Sequence, residues 1–415
     1  MEKEIKGVQL SGKINIPPSK SDGQRAVLCA GLATGQSIIS NLGGSNDEKA
    51  MVQNIQQFGA KVEIRGNETV IDGSISFPNN AEFNCGESGL GLRLMTGICA
   101  VFEGKHTLTG EGSILNRSQS FFIEEFPKMG LEVQTNNGFL PIMLNGDLKP
   151  GIYTVDGSQS SQYISGLLMA LPLLKADSEL IIHELKSKPY IDMTLSTLAS
   201  FGIDIRVEGN RYFIPGNQFY SATNYKVESD WSSASCWLAA AALGQKIELS
   251  GLSISSKQAD VAMLDALYAA NCNVEFLVDS IRVDGEKRRA FTFDATDCPD
   301  LFPALVVLAV GCIGKSIVKG VHRLKNKESD RGVVLQQEFE KLGIKIELLE
   351  DEMHIYGGTL MKSAKINSHN DHRIAMCMGI AATVIEAGVI IQDAESVSKS
   401  YPTFWDDLED LVVRD

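Results

Sequence analysis

A recurring joint constrains this chain more than any other feature: the end of an apolar helix, a glycine or its equivalent, then an alternating strand. It reads FGAKVEI from Phe58, MGLEVQT from Met129, FGIDIRV from Phe201, NCNVEFL from Asn271 and LGIKIEL from Leu342. Each glycine suits a left-handed helix cap, and the alternation after it suits a half-buried strand. A second strand ending in a turn follows each time, as ETVIDG from Glu68, PIMLNG from Pro141, RYFIPG from Arg211, SIRVDG from Ser280 and MHIYGG from Met353. Every copy therefore closes on a β-hairpin. The period of roughly 70 residues exceeds that of a solenoid repeat and holds a whole helix-and-sheet subdomain. Five copies are visible and the joined chain ends supply a sixth, giving three units in each of two domains. Two domains also suit 415 residues, too many for one core.

Composition narrows the function. With 44% hydrophobic and 22% charged residues the chain is expected to be globular, neither disordered nor membrane-embedded. Its richest apolar run, 302–318, is broken by Pro303, Gly311, Gly314 and Lys315, so it reads as core, short of the roughly 20 residues a membrane span needs. MEKEIKGVQLSGKINIPPSK lacks the apolar stretch of a secretion signal. The eight scattered cysteines form no CxxC pair and suit buried thiols in a reducing compartment, so a cytoplasmic location is expected. A net charge of −14 argues against a nucleic-acid partner, and any anion site must be concentrated locally.

Such concentration is visible at helix starts, where a cation is locally unfavourable and an anion welcome. In SKSDGQRAVLCAGLATG, Ser21 or Asp22 can cap a helix running from near Arg25 to Gly35. Arg93 follows a loop with Gly86, Gly89 and Gly91; Arg331 follows a capping Asp330; Asp371, His372 and Arg373 open a long apolar helix. A single arginine of this kind is readily a surface residue paired with its own cap, but four favour converging anion sites. Ser160, Ser161 and Gln162 begin another apolar helix, where hydroxyls and N–H groups suit a phosphate. No phosphate-binding GxxxxGKS/T loop, HExxH or GxSxG motif occurs, and GESGLG lacks the dinucleotide spacing. Chemistry without metal or cofactor is expected.

Read in order, PPSKSDGQR, DGSQSSQ, SKPYID, CPD, KESDR, DHR and SKSYP resemble the 5-enolpyruvylshikimate-3-phosphate synthase family from near Pro17 to Pro402. The resemblance implies a two-domain inside-out α/β barrel of six βαβαββ repeats. It divides the chain into an N-terminal domain of residues 19–229 and a C-terminal domain of residues 1–18 with 230–415, with the active site in the cleft between them and closure on binding substrate. The implied reaction transfers the enolpyruvyl group of phosphoenolpyruvate to the 5-hydroxyl of shikimate 3-phosphate, releasing phosphate by addition and elimination, on the route to chorismate and the aromatic amino acids. The small-molecule substrates are then the partners, without nucleic acid or membrane, and a monomer is expected.

Residue by residue, the resemblance puts Lys20, Ser21, Arg25, Ser160, Ser161, Gln162, Ser187, Tyr190, Asp300 and Lys327 around shikimate 3-phosphate. Around phosphoenolpyruvate it puts Lys20, Gly89, Arg117, Gln162, Arg331, His372, Arg373 and Lys399. Asp300 becomes the base candidate for the hydroxyl and Glu328 the candidate to protonate the methylene, with Lys20 and Lys327 stabilising developing charge. Three departures from the more familiar family pattern stand out. Glu87-Ser88-Gly89-Leu90 replaces Asn-Ala-Gly-Thr, Ser118 replaces the proline after Arg117, and Arg323 stands where Asn is common. Leu90 is expected to shift Gly89 and weaken inhibition by glyphosate, which mimics part of the phosphoenolpyruvate complex. The alternatives are a sister enolpyruvyl transferase acting on UDP-N-acetylglucosamine, and a non-catalytic anion-binding relative. The sister enzyme's mobile-loop cysteine has no counterpart in GEGSILNRSQS.

Overall fold

Each of the five joints turns through the left-handed region: φ is 100° at Gly59, 84° at Gly130, 80° at Gly202, 86° at Gly343 and 61° at Asn271. Asparagine is among the few side chains that accept this conformation, which explains how NCNVEFL keeps the pattern without glycine. In the computed structural model, which describes residues 1–74 and 76–414, the chain divides into one unit of residues 18–227 and another of residues 1–17 with 228–415.

The 18–227 unit carries three four-stranded sheets. In the first, Gly35–Ser40 runs parallel to Asn224–Lys226 and antiparallel to Glu68–Gly73, which pairs with Lys61–Arg65. The second repeats this with Asn80–Asn84, Gly104–Thr109, Phe139–Gly146 and Glu132–Asn136. The third does so with Ile152–Asp156, Ser178–His183, Arg211–Ile214 and Arg206–Glu208.

In the other unit, two sheets follow the same plan. One joins Ser11–Asn15, Lys246–Ser250, Ser280–Asp284 and Asn273–Phe276; its partner joins Thr292–Asp294, Gly314–Lys319, Glu352–Gly357 and Lys345–Leu349. The sixth has three strands, Lys365–Asn367 parallel to Val389–Gln392 and Glu2–Ile5 antiparallel to it, so the start of the chain occupies the hairpin's place.

Burial shows which layer is inside. Phe139–Gly146 alternates exposed and buried at every residue, as a sheet with one wet face must. Lys20–Leu32, Gly89–Val101 and Ser161–Ala170 are buried on almost every residue, as are Trp231–Ala242, Phe302–Val310 and His372–Ala382 in the other unit. Helices buried all round belong in a core, so each unit places helices inside and sheets outside. The packing is tight where Gly89–Val101 crosses Ser161–Ala170: a Cβ on Gly97 would stand 2.4 Å from the Gly166 carbonyl oxygen, and one on Gly166 would stand 2.4 Å from that of Arg93.

One sequence expectation needs correction. The first buried helix begins at Lys20, capped by Ser19, so Arg25 lies in its second turn and neither Ser21 nor Asp22 is the cap. Ser19 accepts the Asp22 N–H, and the preceding Pro17-Pro18 pair keeps the chain extended up to the cap. The apolar run 302–318 is two elements, a helix to Val310 and a strand from Gly314. Among the described residues no helix is long and apolar enough to cross a membrane. All eight cysteines are buried free thiols; Cys236 and Cys377, on two of the core helices, have their sulfurs 3.2 Å apart.

Candidate active site

Of the predicted site residues, Lys20, Ser21, Gly89, Ser161, Gln162, His372 and Arg373 lie in the first turns of buried helices, where backbone N–H groups lack partners and the helix dipole favours anions, while Arg117, Asp300, Lys327, Glu328 and Lys399 lie in loops and short turns. In the 18–227 unit, Lys20 occupies the first helical position, an unfavourable place for a cation. Asp47, from the first turn of Asn46–Gln57, offsets this with a carboxylate oxygen 3.0 Å from the Lys20 Nζ. That helix is itself fixed by a capping box between Ser45 and Glu48. Asp47 escaped the sequence reading; the box in SNDE was its only signal.

Arg25 is 1% exposed. Its Nε donates to Thr194 Oγ1 at 2.8 Å and its Nη1 to the Ser21 carbonyl at 2.7 Å, while Nη2 lies 3.4 Å from both Ser165 Oγ and the Tyr190 carbonyl. Burial pulls it down to about 10 against the attraction of Asp22, so it remains a cation at neutral pH. Ser187, buried and at φ 56°, immediately precedes the Lys188–Ser200 helix that supplies Tyr190 and Thr194.

Gly89 stands against two guanidinium groups. A Cβ there would lie 2.4 Å from Arg93 Nη1 and 2.6 Å from Arg117 Nη1. Arg93 donates to Gln162 Oε1 at 2.9 Å and lies 5.0 Å from the centre of the Tyr163 ring, while its buried Nε has no hydrogen-bond partner among the described residues. Ser160 caps Ser161–Ala170 and accepts the Gln162 N–H at 3.3 Å. Ser88 Oγ donates to Gln24 at 2.7 Å and joins this corner to the Lys20 helix. Two cations held close by an amide, an aromatic face and backbone are a place for an anion. Of the departures in this loop, Glu87 turns to the Ser113 N–H at 2.8 Å, and Leu90 is 6% exposed within the core.

The other unit builds its cluster around Arg331, also 1% exposed. Its cap Asp330 is not its ion partner. Arg331 Nε and Nη2 instead grip Asp371 at 2.7 and 3.2 Å, Nη1 reaches Asp300 at 2.7 Å, and Nη2 also reaches Glu328 at 2.7 Å. Four of its bonds thus go to protein carboxylates, which makes Arg331 the organiser of the cluster. Asp371 caps the His372–Ala382 helix by accepting the Arg373 N–H at 3.0 Å, and it also accepts from Ser329 Oγ. One buried carboxylate therefore fixes two predicted arginines. Lys399 donates to the Asn370 carbonyl at 2.6 Å, and His372 is buried at the helix's first position.

Asp300 receives Lys327 Nζ at 3.1 Å and Arg331 on one oxygen, and Arg373 at 3.2 Å on the other. Burial alone would raise it, but the charges of Arg373, Lys327 and Arg331 outweigh burial and hold it well below the usual carboxylate range. Burial pulls Lys327 down, with Asp300 opposing and the Arg331 charge adding to the fall. Arg373 is pushed up despite its burial, first by Asp300. Asp260, absent from the sequence reading, sits behind this group and is pushed up to about 7 by burial and then by the Asp300 charge, with Arg373 opposing.

Comparisons with known proteins give the family. The family model described as EPSP synthase (3-phosphoshikimate 1-carboxyvinyltransferase) matches residues 5–408. A 3-phosphoshikimate 1-carboxyvinyltransferase of Clostridium novyi is 38% identical over 97% of this chain and 95% of its own length, and one of Clostridium perfringens is 37% identical over 97% and 96%. The solved EPSP synthase of Acinetobacter baumannii superposes with a TM-score of 0.81 at 25% identity, covering 99% of this chain and 98% of that one. The enolpyruvyl transferase NikO of Streptomyces tendae, at 17% identity and a TM-score of 0.80 over 98% and 96% of the two chains, shares the fold. With a family model spanning nearly the whole chain and relatives of this identity along their whole length, the chain belongs to the EPSP synthase (3-phosphoshikimate 1-carboxyvinyltransferase) family.

Proposed function

We propose that this chain transfers the enolpyruvyl group of phosphoenolpyruvate to the 5-hydroxyl of shikimate 3-phosphate and releases phosphate. The observation that carries the reading is the gathering of cations at buried helix N-termini in both units, beside carboxylates suited to proton movement. In the 18–227 unit, Ser160, Ser161, Gln162, Ser187, Tyr190, Ser21 and Arg25 hold shikimate 3-phosphate. Lys20, Gly89 and Arg117 serve phosphoenolpyruvate, as do Arg331, His372, Arg373 and Lys399 of the other unit. The arginines stabilise the leaving phosphate, a contribution made before reaction begins.

Asp300 is the base for the hydroxyl and Glu328 the acid for the methylene. A carboxylate held far below its ordinary range by three cations is a weak base, and base strength follows proton affinity. Anionic substrates engage those same cations and relieve their hold, so Asp300 gains basicity when the substrates are bound. The test follows liberated phosphate after shikimate 3-phosphate and phosphoenolpyruvate are mixed with the protein, with Glu328→Gln as control. Stoichiometric release that the substitution abolishes is expected. Release only when UDP-N-acetylglucosamine replaces shikimate 3-phosphate would transfer the chain to the sister reaction, and binding without release would make it a non-catalytic relative.

A further inference from the structure

Asp260 lies in the short turn Ala259–Ala262 and is 1% exposed. One carboxylate oxygen accepts the Ser232 hydroxyl, and the other has no hydrogen-bond partner among the described residues. Ser232 is held in turn by its backbone N–H donating to Asp230, the cap of Trp231–Ala242. The turn is clamped to the same helix start by Gln258, which accepts the Trp231 N–H and donates to the Ser229 carbonyl. A buried carboxylate with one satisfied oxygen is costly to keep ionised.

The titratable groups facing it come from three elements: Asp230 at the cap of one core helix, Asp300 and the neutral Cys298 thiol beside the turn leading into a second, and Arg373 in the first turn of a third. Only Arg373 among these favours the anion. Without Asp260, the ion-paired cluster pairs Lys327, Arg331 and Arg373 with Asp300, Glu328 and Asp371. The ionisation of Asp260 therefore decides whether this group carries one further negative charge that repels an incoming anion.

We infer that Asp260 is a positioning residue that takes up a proton when an anionic substrate engages Arg373, so that the cluster sheds one negative charge as the substrate brings its own. The inference rests on the reading that phosphoenolpyruvate binds at Arg373. The ligand cancels the one positive charge that favours the ionised form and adds negative charge nearby, and both effects raise proton affinity. Asp260 already stands at about 7, so it is mostly ionised slightly above neutrality and has room to respond. The proton comes from solvent and returns when the anion leaves; no bond to carbon or phosphorus changes at this residue.

Titration calorimetry in two buffers of different ionisation enthalpy counts the protons taken up. The full chain carries Glu328→Gln to suppress turnover, is saturated with shikimate 3-phosphate, and is titrated with phosphoenolpyruvate at pH 7.5, where the ligand's own phosphate is fully ionised. Uptake of up to roughly three-quarters of a proton is expected, with Asp260→Asn lowering it to near zero. In the turnover-competent chain, the rise of KM for phosphoenolpyruvate with pH above neutrality flattens on the same substitution, whereas a purely structural role would lower activity at every pH. His372 is present in all forms and cancels from the difference. Should Asp260→Asn fail to fold, Ser232→Ala keeps the carboxylate and removes the donor that favours its ionised form, moving maximum uptake to higher pH. A proton count indifferent to Asp260→Asn, or an uptake maximum unmoved by Ser232→Ala, overturns the inference alone. Absence of any binding heat overturns the enolpyruvyl-transfer reading and the inference with it.

Discussion

Gly166→Ala tests the link between core packing and the substrate site. The added Cβ would stand 2.4 Å from the Arg93 carbonyl oxygen, 3.2 Å from its carbonyl carbon and 3.5 Å from Leu94 Cα. Ordinary contact begins about 1 Å further out, and because the atoms met are backbone, the two helices must separate as bodies. Overpacking of this kind costs about 1–3 kcal/mol, and the better helix propensity of alanine returns at most about 1 kcal/mol. With the full return, the net expectation is a loss of up to about 2 kcal/mol, read as a lower urea midpoint at unchanged slope. The same separation stretches the 2.9 Å bond from Arg93 to Gln162 beyond hydrogen-bonding distance. Losing a bond to a charged group then raises substrate KM about tenfold, equivalent to about 1.4 kcal/mol. Gly332→Ala is the contrast: its Cβ would meet nothing closer than 3.5 Å, so stability should hold or rise by several tenths of a kcal/mol. Wild-type midpoint and KM for Gly166→Ala would refute the argument.

Four further outcomes follow from the site. Gly89→Ala places a methyl against the guanidinium ends of Arg93 and Arg117, so steady-state kinetics should show KM for phosphoenolpyruvate raised about tenfold with an unfolding free energy within about 0.5 kcal/mol of the parent. Leu90→Thr should lower the glyphosate inhibition constant, at a cost of about 1–3 kcal/mol because Leu90 is core; an unchanged constant rejects the role given to Leu90. Asp371→Asn weakens the grip on Arg331 and leaves its charge less compensated, costing about 3–5 kcal/mol by urea unfolding. Asp260 binds protons better in the folded than the unfolded chain, so its contribution to stability falls as pH rises from about 4 through about 7; Asp260→Asn should therefore gain on the parent in thermal melts at pH 8 relative to pH 5.

The fold was legible because its signals are local and repeated. A left-handed cap followed by alternation depends on a few adjacent residues, and even Asn271 satisfied the rule. The sixth sheet left only an indirect trace, since Glu2–Ile5 finds its partner Val389–Gln392 nearly four hundred residues away. Within the site, helix starts at Arg331, His372 and Ser161 were readable from their caps. The start at Lys20 was misread because SKSD offers several capping residues and propensity does not choose among them. Partnerships were the least legible. Nothing in KESDR says that Arg331 bypasses Asp330 for Asp371, or that Asp47 waits for Lys20, because tertiary approach decides such pairs. Asp260 carries no sequence signal beyond being an acid in a polar turn; only its burial gives it interest.

The placement of Glu2–Ile5 and Ser11–Asn15 bears on the order of assembly during synthesis. Residues 18–227 leave the ribosome as one continuous stretch with all the strands their sheets require, so that unit can mature while translation continues. Ser11–Asn15 must wait for Lys246–Ser250, and Glu2–Ile5 for Val389–Gln392, so two strands made before residues 18–227 are paired only after that stretch has been made. Until those partners are made, the nascent polypeptide carries two unpaired strands, whose open edges can pair with another chain when synthesis is crowded.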